Sequence, residues 1–155
     1  MAVDVDLQCA TEATDLPAEA EFRRWAELAL EEHRQQAELT IRLVDEADSQ
    51  RLNREFRGQD RPTNVLSFPF EAPAIASSNL LGDLVICAPL VRHEAEAQGK
   101  QITAHWAHMV VHGTLHLLGL DHQTDQEASV MEQIEVTVLS KLGFSDPYID
   151  DGKYE

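Results

Sequence analysis

Thr103-Ala-His-Trp-Ala-His-Met-Val-Val-His-Gly-Thr-Leu-His-Leu-Leu118, followed by Gly119-Leu-Asp-His122, decides how this chain is read. Ala104, Trp106, Ala107, Met109, Val110, Val111, Leu115, Leu117 and Leu118 surround a helix axis on all sides but one stripe. A helix that is apolar on most sides belongs in the middle of a fold, so residues 103–118 are expected to form a central, buried helix. The remaining stripe carries His105, His108, His112 and His116, which helical geometry places within an arc of about 80°.

His112, His116 and His122 are spaced as metal ligands. Four residues along a helix rotate by roughly 400°, which leaves His112 and His116 about 40° apart and about 6 Å apart along the axis. Gly119 ends the helix, because glycine readily takes the left-handed backbone needed there, and the reversed chain can bring in His122. A lone histidine is more often a hydrogen-bonded core or surface group. Three at this spacing, with a glycine at the hinge, point to one metal ion. Three imidazoles with an open fourth position suit a catalytic Zn2+, though nickel, cobalt or copper would take the same ligands. A closed structural site would need a fourth protein ligand, for which Asp121, Cys87 and His108 are the candidates. His108, Asp83 and Asp121 are also the candidates for groups that orient the ligands from behind. His105 reads as a near-surface residue at the helix start.

Outward from this helix the pattern alternates between strands and helices. Val3, Val5, Leu7 and Cys9 alternate with polar residues, which predicts a half-buried strand. Pro17 opens a helix carrying Phe22, Trp25, Ala26 and Ala29 and fading near Gln36. Leu39, Ile41 and Leu43 mark a second strand, and Asp45 is placed to cap a short helix with Leu52 and Phe56. Val65–Phe68 reads as a third strand stopped by Pro69. Residues 71–80 read as a surface loop. The apolar run Leu84–Ala88 suits a strand buried on both faces, and Pro89 starts a helix that ends near Gly99. Thr124 and Glu127 form a capping box for a last helix reaching Leu142, with Gly143 as its stop. The expectation is one α+β domain over residues 1–155, α/β-like in places. It has a small mixed sheet of about four strands, packed with five or six helices around the metal helix.

Composition bounds the function. The chain is 155 residues long with a formal net charge of −16, 43% hydrophobic and 26% charged. No apolar run is long enough to span a membrane, and the acidic Met-Ala-Val-Asp-Val-Asp start does not read as a signal peptide. A cytoplasmic protein without a membrane partner is expected. Cys9 and Cys87 are read as small buried hydrophobes rather than a disulfide pair. The negative charge argues against diffuse binding to nucleic acid, and no DNA partner is expected. One island departs from it: Arg51, Arg54, Arg57 and Arg61 face only Glu55 and Asp60 across positions 51–61. That island is either a phosphate site or a solvated helix face.

The histidine spacing matches that of zinc proteases except that Gly113 stands where their general-base glutamate would be. Zinc alone still lowers the pKa of its water toward about 7. Attack on a phosphodiester then needs a cation beside the developing charge, which a guanidinium supplies at any physiological pH. Arg57, at the mouth of the turn-rich segment 57–64, is the candidate catalytic residue.

Three blocks, in the same order, closely resemble the bacterial YbeY family. They are Arg57-Gly-Gln-Asp-Arg-Pro-Thr-Asn-Val-Leu-Ser-Phe-Pro-Phe70, Leu81-Gly-Asp-Leu-Val-Ile86, and His105-Trp-Ala-His-Met-Val-Val-His through Gly119-Leu-Asp-His122. The likeness runs from the first strand to Asp146-Pro-Tyr148. It implies a cytoplasmic, single-strand-specific metallo-endoribonuclease that matures small-subunit ribosomal RNA, especially its 3′ end, and takes part in ribosome quality control. It also implies zinc on His112, His116 and His122, and a functional arginine at Arg57. Ribosomal RNA, the small subunit and assembly factors become the expected partners, and protein partners would relieve the conflict between an acidic chain and an RNA substrate. Two rivals remain: a non-catalytic assembly factor whose metal holds the fold, and a metallohydrolase acting on peptides or small molecules.

Overall fold

Apolar residues at alternate positions give the first strand, and the same alternation recurs in the second. The computed structural model describes residues 2–70, 79–120 and 123–148. Among them the order is β1 (Ala2–Ala10), α1 (Glu19–Leu30), β2 (Gln36–Val44), α2 (Glu46–Arg57), β3 (Val65–Pro69), β4 (Leu80–Cys87), α3 (Ala88–Gln98), α4 (Ile102–Leu117) and α5 (Asp125–Lys141). The strands form one mixed sheet in the order β1-β2-β4-β3. β1, β2 and β4 run parallel, and β3 returns antiparallel along β4. This is the expected α+β architecture with four strands and, among the described residues, five helices.

β4 is flanked by β2 and β3 and buried on both faces, as its continuous apolar run requires. Leu84 and Ile86 belong to the main core with Leu39, Ile41, Phe22 and Trp106. Val85 joins Val44 and Leu66 in a smaller cluster on the opposite face, under Leu52 of α2 and Phe68. α4 lies across the first face and packs against α1, α3, α5, β3 and β4. Its buried residues include Trp106, Ala107, Val110, Val111 and Leu115, so the histidine-bearing helix is the central one. Trp106 meets Phe22 edge-on at 5.6 Å and locks α1 to α4.

Several local expectations need correction. α1 ends at Leu30, not near Gln36, because no apolar residue in the polar run Glu31–Gln35 holds a further turn to the core. Asp45 does stand at the start of α2, but its carboxylate makes no cap bond there. It accepts instead from the Thr11 hydroxyl and from the Glu12 N–H at 3.2 Å, tying the loop after β1 to the end of β2. Cys87 is buried, whereas Cys9 is exposed: cover over β1 fades from Val5 towards the strand's end. Both thiols are free. Pro89 does lie in the first turn of α3, and Thr124 does accept from Glu127 N–H to open α5. Most of the expected loop 71–80 falls outside the described residues, and its last residue, Leu80, already belongs to β4.

Candidate metal centre

The histidine stripe of α4 is real and continuous. Successive ring centroids stand 6.3 Å apart for His105–His108, 6.2 Å for His108–His112 and 4.7 Å for His112–His116. The first two rings are buried and the last two half-buried. At the carboxyl end of α4 the chain turns as the hinge requires: Gly119 has φ 97°, its N–H donates to His116 O, and Leu120 N–H donates to Leu115 O. His122 and Asp121, which follow this turn, lie outside the described residues.

His112 and His116 open onto a cleft of about 520 Å3 that is also lined by Arg57, Thr63, Asn64, Val65, Ser67 and Gln123. Arg57 reaches it from the last turn of α2. That helix stops at Gly58, whose φ of 71° closes the end with bonds to Asn53 O and Arg54 O. The arginine island therefore divides. Arg51 pairs with Asp48 and Glu55, and Arg54 with Asp60, as a solvated face. Arg57 is exposed, borders the histidines, and makes no ion pair among the described residues. No acidic side chain is found among the described residues that line this cleft. A chain of net charge −16 thus keeps a cationic to neutral pocket where two histidines converge.

Behind the stripe lies a group that sequence reasoning missed. Glu135 of α5 is fully buried. Its Oε2 accepts from His112 Nδ1 at 2.5 Å, and its Oε1 from His108 Nε2 at 2.9 Å and from the Tyr148 hydroxyl. Burial pushes this carboxyl up, but the hydrogen bonds from His108 and His112 outweigh it and hold it at about 2. Burial drives His108 the other way, below its ordinary value, against the pull of Glu135. Burial and then the bond to Glu135 push the Tyr148 phenol well above its usual range, so it stays a donor. His108, His112 and Glu135 offer ligand atoms within 4.8 Å of one another, close enough to hold a metal ion.

His105 is buried, not near the surface. Its Nε2 meets Glu94 at 2.9 Å, and Asn64 Nδ2 also donates to Glu94 at 3.2 Å. Burial raises the Glu94 carboxyl, yet the bonds from His105 and Asn64 leave it lowered. Asn64 lines both the main cleft and a second cavity of about 380 Å3 beside His105, His108, Lys100 and Tyr148. Asp83 does not join the site. Leu84 faces α4, so strand alternation turns Asp83 to the opposite face, where it is exposed beside Phe68.

The donor set fits a metal ion. Two imidazoles one helical turn apart share a water-accessible cleft, and the Nδ1 of one is held by a buried carboxylate. That carboxylate–histidine arrangement is the usual support of a metal-binding imidazole. A family model described as endoribonuclease YbeY matches residues 6–143.

The chain belongs to the YbeY endoribonuclease family.

Family membership supports an endoribonuclease role in ribosomal RNA processing. The solution structure of TM1509 from Thermotoga maritima matches 92% of this chain and 99% of its own length, at a TM-score of 0.56 and 23% identity. At that identity the likeness speaks for the fold. For a YbeY chain the position after His112 is also explained: a Cβ at Gly113 would stand 2.8 Å from Leu84 Cδ2 and 3.2 Å from Val65 Cγ2. The Ser67 hydroxyl donates to Gly113 O at 3.2 Å across the same contact. The helix lies on the sheet there, so a general base cannot project from this position.

Proposed function

We propose that this chain is a zinc-dependent endoribonuclease that cleaves single-stranded RNA, with the metal on His112, His116 and His122 and Arg57 as the catalytic cation. The observation that carries this reading is the cleft shared by Arg57, His112 and His116, with no acid among its described lining residues. Zinc held there would act as a Lewis acid and lower the pKa of a water. Arg57 binds the scissile phosphate and meets the charge that develops on its oxygens, in a geometry that does not depend on pH. Thr63, Asn64 and Ser67 make the cleft wall neutral and polar, as a sugar–phosphate strand requires, with the Asn64 amide spent on Glu94 and the Ser67 hydroxyl on Gly113 O. The cellular role that goes with this chemistry is maturation of small-subunit ribosomal RNA at its 3′ end and ribosome quality control, in the cytoplasm. Among the described residues no helix is long and apolar enough to cross a membrane.

The deciding experiment is cleavage of a single-stranded RNA by the metal-stripped protein, the zinc-restored protein and a folded His116→Ala variant. Cleavage should appear only in the zinc-restored wild type. Equal cleavage by all three would overturn the proposal. The net charge of −16 favours one other reading, a non-catalytic assembly factor guided by protein contacts. It predicts binding to small-subunit particles that survives both His116→Ala and Arg57→Ala, with no cleavage by wild type. The crowding at Gly113 counts against a peptide hydrolase built on the protease plan.

A further inference from the structure

We infer that Glu135 is the positioning residue of His112, aimed by His108 and strapped down by Tyr148. The inference rests on the reading of His112 as a metal ligand and adds how that ligand is held. The two carboxylate oxygens are used differently. Oε1 is an anchor that takes two donors, His108 Nε2 and the Tyr148 hydroxyl. Oε2 receives His112 Nδ1 at 2.5 Å. A ring that gives Nδ1–H to a carboxylate presents Nε2 as its coordinating nitrogen, in a fixed tautomer, with raised basicity.

Energetics favour this role over a merely structural one. A fully buried carboxylate costs several kcal/mol in desolvation, and apolar residues of similar size usually stabilise a core as well or better. Glu135 stands on the core face of α5 with Met131, Val138 and Leu139, where an apolar residue would pack. Its three donors make the charge tolerable, and two of them come from the histidine stripe itself. The third comes from the chain after α5. Lys100 Nζ donates to Pro147 O at 2.7 Å, and Tyr148 N–H donates to Asp146 Oδ1 at 2.8 Å. These bonds hold the tyrosine over the carboxylate. A metal placed within His108, His112 and Glu135 would instead have to take the very atoms that make this hydrogen-bond set.

The test is zinc affinity by competition with a chromophoric chelator, with the cobalt spectrum and the melting temperature of the metal-free protein as companions. It uses the full chain carrying Glu135→Gln, Tyr148→Phe or His116→Ala. Glu135→Gln should bind zinc about 10–100-fold more weakly, the usual cost of losing an outer hydrogen-bond partner, while its cobalt spectrum keeps the wild-type coordination type. Tyr148→Phe should weaken binding by a smaller factor, and it reads the same carboxylate if Glu135→Gln does not fold. His116→Ala should abolish binding. Unchanged affinity in both Glu135→Gln and Tyr148→Phe overturns the inference alone. Complete loss in Glu135→Gln with binding intact in His116→Ala makes Glu135 a ligand and also overturns it. A wild type that binds no metal removes the proposed function beneath it.

Discussion

Gly113 and Leu84 are in contact across the helix–sheet interface, and a Cβ at position 113 would stand 2.8 Å from the leucine methyl. Leu84 is fully buried, so its methyl can yield only by repacking the core around it. Gly113→Ala should destabilise the fold by about 1–3 kcal/mol through overpacking, less the roughly 1 kcal/mol that alanine gains in a helix. Leu84→Ala makes room, so the same glycine substitution should cost less, or stabilise, in that background. A double-mutant cycle by urea unfolding reads the coupling; additive effects would show that the contact is not what demands glycine. Gly113→Glu should fail to fold rather than create a protease.

Arg57 is exposed and takes no ion pair among the described residues, so its removal should leave stability within about 0.5 kcal/mol of wild type. RNA cleavage should fall by about 100–1,000-fold in Arg57→Ala, the scale of losing one preorganised donor to a developing oxyanion. Arg57→Lys should recover only part of this, because an ammonium lacks the planar fork. Single-turnover cleavage rates at saturating protein measure both. Equal rates in wild type and Arg57→Ala would remove the arginine from the chemistry.

Glu135 predicts an acid limit for the metal-free protein. Its carboxyl lies at about 2 in the fold against an ordinary 4.5. Between those values the unfolded chain binds more protons than the folded one, so stability falls as the pH falls. The contribution is fully present above the ordinary value and is lost on the way down to about 2. Glu135→Gln has no such group. The stability gap between wild type and this variant, measured by urea unfolding with chelator present, should change little above about pH 5 and shift against wild type below it. A gap that stays flat through the acid range would contradict the depressed carboxyl.

The Thr124 hydroxyl accepts from Glu127 N–H at 3.1 Å, and the Glu127 carboxylate accepts in turn from Thr124 N–H at 3.1 Å. This box starts the helix that delivers Glu135. Thr124→Ala should cost about 1 kcal/mol. Thermal unfolding of the metal-free protein checks it, and an unchanged midpoint would mean that α5 is held by its packing alone.

Much of this architecture was legible because periodicity reports burial. The stripe on α4, the two-faced strand β4 and the box at Thr124 each follow from residue type at fixed spacing. Where reading failed, a partner distant in sequence had decided the outcome. Asp45 had the chemistry of a helix cap, but Thr11 and Glu12 claimed its carboxylate. His105 looked terminal and exposed until Glu94, from another helix, covered it. Glu135 was the larger omission, and it left a trace: an acid in phase with Met131, Val138 and Leu139 on an otherwise apolar face. An acid in that phase needs a buried donor, and the histidine stripe was the available one. Asp83 shows the converse, since its strand phase, opposite to Leu84, was enough to exclude it from the site.

Among the described residues the sheet order leaves β1 at one margin, paired with β2. Nine residues of extended backbone there offer a template on which a second molecule could add a strand. Asp4 and Asp6 project from that strand into solvent. Two copies meeting margin to margin would bring these carboxylates towards their twins, and like charges across a strand pair repel. Part of the excess acidity of this chain can therefore act as protection against self-association, at the side of the sheet away from the strand, β3, that borders the cationic cleft.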